Sequence, residues 1–284
     1  MSASNTFVSQ IDNLSSSLSR SKFERLGKVT RVVGMTIEAS GISAEIGAQT
    51  IIEIDGQDRK VEAEVIGFDE KKVFLMPIHF LDGIKAGNVV RVKESESTCS
   101  VGKDLLGRVI NGSGEPIDGK GIIAYEHEMP LDTHATNPME RGAITDILDT
   151  GIKAINGCFA FGKGQRMGLI AGSGVGKSVL LGMLTRNTDA DVVVIGLIGE
   201  RGREVQEFVK NTLGEKGLEK AVVIAAPVDV SPVMRVKAAK LTHSIAEYFS
   251  NEGKNVLLLF DSLTRVAHAQ REIGLAVGEP PTTK

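Results

Sequence analysis

The chain has 284 residues, 42% of them hydrophobic, no tryptophan and a formal charge of −3 at pH 7. That length accommodates one large domain or two ordinary ones with ample core. A charge so close to zero supplies no basic field that would make nucleic acid or an acidic membrane surface the main partner.

Cys99 and Cys158 are the only cysteines and form no CxxC pair, which fits two reduced thiols better than a disulfide. No apolar leader follows Met1, and the most apolar runs, VVVIGLI and NVLLLF, are too short to span a bilayer. The expectation is a cytosolic protein without a transmembrane segment, docking at a membrane only through a partner.

Along the chain, residues 1–22 are polar and rich in serine, yet Phe7, Ile11, Leu14 and Leu18 fall on one helical stripe. The segment suits either a frayed tail or a short amphipathic helix that folds on a partner. Residues 23–94 change character. VTRVV, TIIEI, KVEAEVIGF and NVVRV are β-branched and partly alternating, with EASG, DGQD and FDEKK read as breaks between them. Short strands without a long helix predict a small closed barrel. Its Lys and Arg are matched by Asp and Glu, and its few Phe lie in apolar runs, so a structural or assembly barrel is favoured over an RNA-stacking one.

Residues 95–284 alternate strand and helix. MGLIAG reads as a strand, KSVLLGMLTRN as a helix, DVVVIGLIG as a strand, REVQEFVKNTLG as a helix and AVVIAAP as a strand. A longer helix carries Met234, Ala238, Leu241, Ile245 and Phe249 on one face, and NVLLLFD closes the series as a strand. Continuous apolar strands separated by amphipathic helices predict an α/β unit whose parallel sheet is covered on both faces. Ligands then belong at the carboxyl ends of the strands.

The candidate chemistry falls there. In residues 171–178, AGSGVGKS, glycines allow backbone N–H groups to wrap a phosphate, and the following helix adds its N-terminal donors. The candidate nucleotide-binding set is Ser173, Gly174, Val175, Gly176, Lys177, Ser178 and Val179. Lys177 would reach the β- and γ-phosphates and the Ser178 hydroxyl would ligate Mg²⁺. The strict pattern asks for glycine six residues before the lysine, where this chain has Ala171. Asp261 ends the apolar run LLLFD, as a Walker B acid does, and Glu200 ends the strand after the loop's helix, where a carboxylate can orient an attacking water. Arg201 and Arg265 could neutralise phosphate charge or form surface ion pairs. The five histidines show no metal spacing, so no metal is implied beyond nucleotide-bound Mg²⁺.

KDLLGRVINGSGEPIDGKG, TGIKAINGCFAFGKGQRMGLIAGSGVGKS, IGERGREV and FDSLTRVAHAQREIGLAVGEPPTT, in that order, resemble the rotary-type ATPases. Within that group AGSGVGKS and GERGREV are closer to the ATPases of bacterial type III protein export, flagellar before injectisome. The ATP synthase β subunit would typically read GGAGVGKT and GERTREG. The resemblance implies a RecA-like P-loop core preceded by a barrel and a short N-terminal helix, with ATP and Mg²⁺ as cofactors. It gives Lys177, Glu200 and Arg201 catalytic roles, Arg201 lying near the γ-phosphate, and has Asp261 hold Mg²⁺ through water. It also implies a homohexamer with sites at subunit interfaces, located in the cytoplasm and peripherally associated with the inner membrane at the export apparatus. Its partners would be a cytosolic export regulator bound near Ile11 and Leu14, an export gate, a central stalk and chaperone–substrate complexes, with no specific nucleic acid.

The family pattern continues past Lys284 into further strands and a helical domain. The arginine finger, worth about a thousandfold or more in rate, the adenine-packing aromatic and the cargo surface are expected there, so little activity is expected of these 284 residues alone. The competing readings are an injectisome ATPase, a rotary ATP synthase subunit, a Rho-type RNA translocase and a non-enzymatic module that titrates the N-terminal partner.

Overall fold

In a computed structural model the protein is described over residues 25–54, 59–79, 83–93, 97–132, 137–172 and 174–281. The stripe of Phe7, Ile11, Leu14 and Leu18 lies outside these residues, as does Ser173.

Alternation of β-branched and polar residues builds the first unit. Strands β1 (Gly27–Val33), β2 (Thr36–Ser40), β3 (Gln49–Glu53), β4 (Lys60–Asp69), β5 (Lys72–Pro77) and β6 (Val89–Val92) close into a barrel of order β1-β2-β5-β4-β3-β6. Every pairing is antiparallel. Val29, Ile37, Ala39, Ile52, Ala63, Val65, Val73, Leu75 and Val90 fill its interior. Two segments read as breaks are strand instead. Glu38–Ser40 of EASG belongs to β2, because Ile37 and Ala39 alternate inward with polar neighbours outward. FDEKK spans the end of β4 and the start of β5, joined by a turn so tight that Glu70 takes φ 39°. Polar composition marked the hairpin tip and concealed the strands that enter and leave it.

The second unit follows through β7 (Thr98–Val101), β8 (Val109–Ile110), β9 (His127–Pro130), β10 (Ile147–Leu148), α1 (Lys153–Cys158) and β11 (Phe161–Gly162). Then come α2 (Lys177–Asn187), β12 (Val192–Ile198), α3 (Gly202–Glu207) with a π-type continuation over Phe208–Leu213, α4 (Gly214–Leu218) and β13 (Ala221–Ala226). The series ends with α5 (Pro232–Asn251), β14 (Val256–Asp261) and α6 (Leu263–Ala276). β14, β12, β13 and β8 form a parallel sheet in that order. Alternate residues of the buried strands serve opposite faces. Val194 and Ile198 meet Leu241, Ile245 and Phe249 of α5, whereas Val193, Ile195 and Leu197 meet Leu181 and Leu184 of α2 and Phe208. This two-sided burial is why the strands read as unbroken apolar runs.

The expected strand MGLIAG, residues 167–172, is not one. No described strand pairs with it, and Met167, Leu169 and Ile170 are exposed. A strand needs a neighbour to satisfy its backbone N–H and C=O groups, and β14 carries no partner on its outer edge among the described residues. No helix among the described residues is long and apolar enough to cross a membrane.

The barrel sits on the core through an apolar contact of Ile66, Met76 and Phe74 with Val233, Ile273, Ala276 and Val277. The Ser231 hydroxyl donates to the Ile78 carbonyl at 2.9 Å. Beside this contact lies a charged one. Glu64 of β4 faces Lys237 and Lys240 of α5 and Asp132, the last paired with Lys240 at 2.7 Å. Burial raises the Glu64 carboxyl to about 7, against the pull of the two lysines.

Because the folded state holds this proton more tightly than the unfolded one, the stability tied to it is complete below pH 4.5 and is lost as pH rises toward 7. Thermal unfolding between pH 5 and 7.5 is therefore expected to show a falling contribution of at most about 1.4 kcal/mol per pH unit. Glu64→Gln should flatten it, and an equally steep profile in that variant would assign the slope to other groups.

Candidate functional site

The loop before α2 bends through left-handed backbone at Gly174 (φ 78°) and Gly176 (φ 95°), conformations that a side chain would strain. A Cβ at Gly172, Gly174 or Gly176 would meet nothing within 4 Å, so the loop surrounds open space. Among the described residues Glu70 is the one non-glycine with positive φ, so Ala171 departs from the strict pattern without backbone strain. Val175 and Val179 are exposed. Backbone rather than side chains therefore offers the polar contacts at those two positions.

α2 begins at Lys177, whose ammonium donates to Asp261 Oδ1 at 2.6 Å. The Lys177 side chain is 29% exposed and that of Asp261 6%. Two residues separated by 84 positions thus meet at the carboxyl edge of the sheet. A cleft of about 60 Å³ opens beside them. Ser178, Glu200, Glu204 and Asp261 bring oxygen atoms to it, and Leu197, Val205 and Phe208 supply its apolar wall.

The charges in this cleft are unequal. Burial raises the Glu200 carboxyl, and a hydrogen bond with Glu204 and the Asp261 charge raise it further, while Lys177 pulls it down. Glu204 is shifted the other way, chiefly by that same hydrogen bond. One hydrogen bond thus pushes the two acids in opposite directions, Glu200 up and Glu204 down. Glu204 also accepts from the Arg201 backbone N–H at 3.4 Å and pairs with the Arg201 guanidinium at 3.3 Å. Sequence reading missed Glu204. Its signal was the N-terminal capping pattern of α3, an acid three residues after the cap.

Of the expected site residues, Lys177, Ser178, Glu200 and Asp261 converge. Arg201 does not join them: its side chain is 77% exposed and paired with Glu204 on the surface. Arg265 lies against the end of β12. A Cβ on Gly199, itself at φ 76°, would stand 2.6 Å from Arg265 Cβ, so only glycine lets the first turn of α6 approach so closely.

The arrangement fits phosphate and a hard divalent cation. The space beside the loop glycines is open, Lys177 supplies a cation where the loop enters α2, and a hydroxyl and a carboxylate share the adjoining cleft. That cleft suits a metal ion with its waters, and the open loop outside it suits the phosphates.

Residues 29–92 match the profile of the ATP synthase alpha/beta family, beta-barrel domain, and residues 151–284 match the nucleotide-binding domain of the same family. The flagellum-specific ATP synthase of Pseudomonas aeruginosa is 52% identical over 260 residues, covering 91% of this chain. The chain spans 58% of that relative's length. The assembled ATPase EscN of the enteropathogenic E. coli type III secretion system superposes with a TM-score of 0.83 at 41% identity, over 91% of this chain and 62% of EscN. EscN in complex with its central stalk EscO gives a TM-score of 0.82 at 41% identity, over 91% of this chain and 63% of that one.

Removing the cation from this buried contact should be felt in stability. Lys177→Ala leaves Asp261 uncompensated and is expected to cost about 1–3 kcal/mol in urea unfolding, discounted for the partial exposure of the lysine. Adding Asp261→Asn should recover part of the loss. Additive costs in that double-mutant cycle would show that the pair contributes nothing.

Proposed function

The chain belongs to the ATP synthase alpha/beta family, and we propose that it is the Mg²⁺-dependent ATPase of a bacterial flagellar protein-export apparatus. The observation that carries the reading is the junction of Lys177 with Asp261 at the mouth of an open glycine loop, with Glu200 in the same cleft. Mg²⁺–ATP, when bound, supplies the electrophilic phosphorus and the cation that spreads its developing charge. Of the candidate set Ser173 to Val179, the backbone at Gly174 and Gly176 and the first turn of α2 would hold the phosphates. The Lys177 ammonium, which donates to Asp261 here, would hold the β- and γ-phosphates, and the Asp261 carboxylate and the Ser178 hydroxyl would hold the metal, Asp261 through water. Glu200, ionised, would orient and polarise the attacking water. Arg201 would reach the γ-phosphate only by leaving its pairing with Glu204.

The flagellar reading is supported over the injectisome one by 52% identity to the flagellum-specific relative of Pseudomonas aeruginosa against 45% to the type 3 secretion system ATPase of Xanthomonas euvesicatoria. By the same kinship we propose a homohexamer in the cytoplasm, held peripherally at the export gate, with a central stalk partner. We divide the chain into a regulator-binding segment (1–22), a barrel (23–94) and the nucleotide-binding core (95–284).

Titration with a fluorescent ATP analogue in Mg²⁺ is the direct test. Glu200→Gln is expected to retain binding while losing at least about a hundredfold in hydrolysis, whereas Lys177→Ala loses binding. Binding unaffected by Lys177→Ala would refute the site. Loss of the gene should abolish flagellar filaments and leave respiratory ATP synthesis intact, and the reverse would indicate a rotary synthase.

A further inference from the structure

One helix joins the cleft to the barrel. α6 starts immediately after Ser262, the neighbour of Asp261, and its Arg265 presses against Gly199 at the end of β12. Its 14 residues reach about 21 Å. Near the far end Glu272 accepts from Arg235 Nη2 of α5 at 2.6 Å. The Arg235 side chain is 7% exposed and its Nε has no hydrogen-bond partner, so Glu272 is the compensating charge for a buried cation. Just beyond, Ile273, Ala276 and Val277 pack into Ile66, Phe74 and Met76 of the barrel.

The barrel is shaped to receive that end. β4 shifts register between Val65 and Gly67, and a Cβ on Gly67 would stand only 3.1 Å from Val277 Cγ1. α5 supplies a parallel tie, since its N-cap Ser231 also holds the Ile78 carbonyl of the barrel. α6 thus touches the end of β12 near its start and the barrel at its far end, with Ala269 and Gly274 buried along it.

We infer that α6 is a coupling helix through which the state of the Lys177–Asp261 contact sets how firmly the barrel is seated on the core. The two states differ in a definite interaction. With no competing anion, the Lys177 ammonium neutralises Asp261. A phosphate in the loop draws it away, and the strand end and first turn of α6 readjust around the bared carboxylate. The differential contact at one end becomes a differential contact at Gly67 and Val277 at the other. The ligand-driven half of this rests on the proposed nucleotide reading; the ion-pair half does not.

Hydrogen exchange followed by mass spectrometry on the whole chain tests it, reading peptides within 60–78 and 263–277. Saturating Mg²⁺ and a non-hydrolysable ATP analogue should change exchange in the barrel peptides by about threefold or more. Val277→Ser should keep affinity for the analogue within about twofold and lose the barrel response, and Glu272→Gln should weaken it. Independently of any ligand, Lys177→Ala, with its fold checked by circular dichroism, should change exchange in the same barrel peptides. Val277→Ser in that background should abolish the change. Failure of the analogue to bind would count against the nucleotide reading, and the Lys177→Ala arm would still decide the coupling. Barrel peptides indifferent to Lys177→Ala, or a response that survives Val277→Ser, would overturn the inference.

Discussion

The site depends on one ion pair, that of Lys177 with Asp261. The ammonium opens α2 and the carboxylate closes β14, and they meet only because β12 and β14 pair in parallel with their carboxyl ends level. A carboxylate 5% exposed is costly to keep charged without a partner. The lysine therefore anchors the loop to the sheet edge in the absence of anything else to bind. Every other polar group of the cleft is arranged around that fact: Glu200, already half-buried, stands close enough to Asp261 for the second negative charge to raise it.

Much of this was legible in the residues. The apolar runs of β12, β13 and β14 gave a parallel sheet because both their faces are covered; Glu200 and Asp261 fell at the strand ends where such a sheet holds ligands, with Lys177 and Ser178 beside them at the start of α2. What escaped was whatever depends on a neighbour distant in sequence. β2 and β5 carry polar residues at their ends and declare themselves only by closing the barrel between β1 and β4. Residues 167–172 have the composition of a strand but lack a paired edge, and composition cannot report a missing partner. Glu204 reads as a helix cap, and its second role appears only when Glu200 is seen across the cleft.

Arginines were the least legible. Arg201 follows Glu200 directly and Arg265 follows Asp261 by four residues, yet one is held outward by Glu204 and the other lies along Gly199. A long cationic side chain is directed by the nearest carboxylate or by the nearest gap in packing, and neither is written in its own vicinity. Arg235 makes the same point from inside the core. No local motif marks it, but its burial obliges Glu272 to face it from another helix.

The junction between the units follows a different logic from the cleft. Apolar contact at Ile66, Met76 and Val233 would by itself give a fixed seating, since such burial is nondirectional and insensitive to charge. Glu64 and Lys237 beside it are both pushed by burial toward their neutral forms, the carboxyl upward and the ammonium downward. Glu64 is the chief opposing charge on Lys237, while Glu64 itself is drawn down more by Lys240 than by Lys237. A barrel seated only by hydrocarbon would not register the state of the core. The partly compensated charges of Glu64 and Lys237 make the seating depend on charge as well as on hydrocarbon contact.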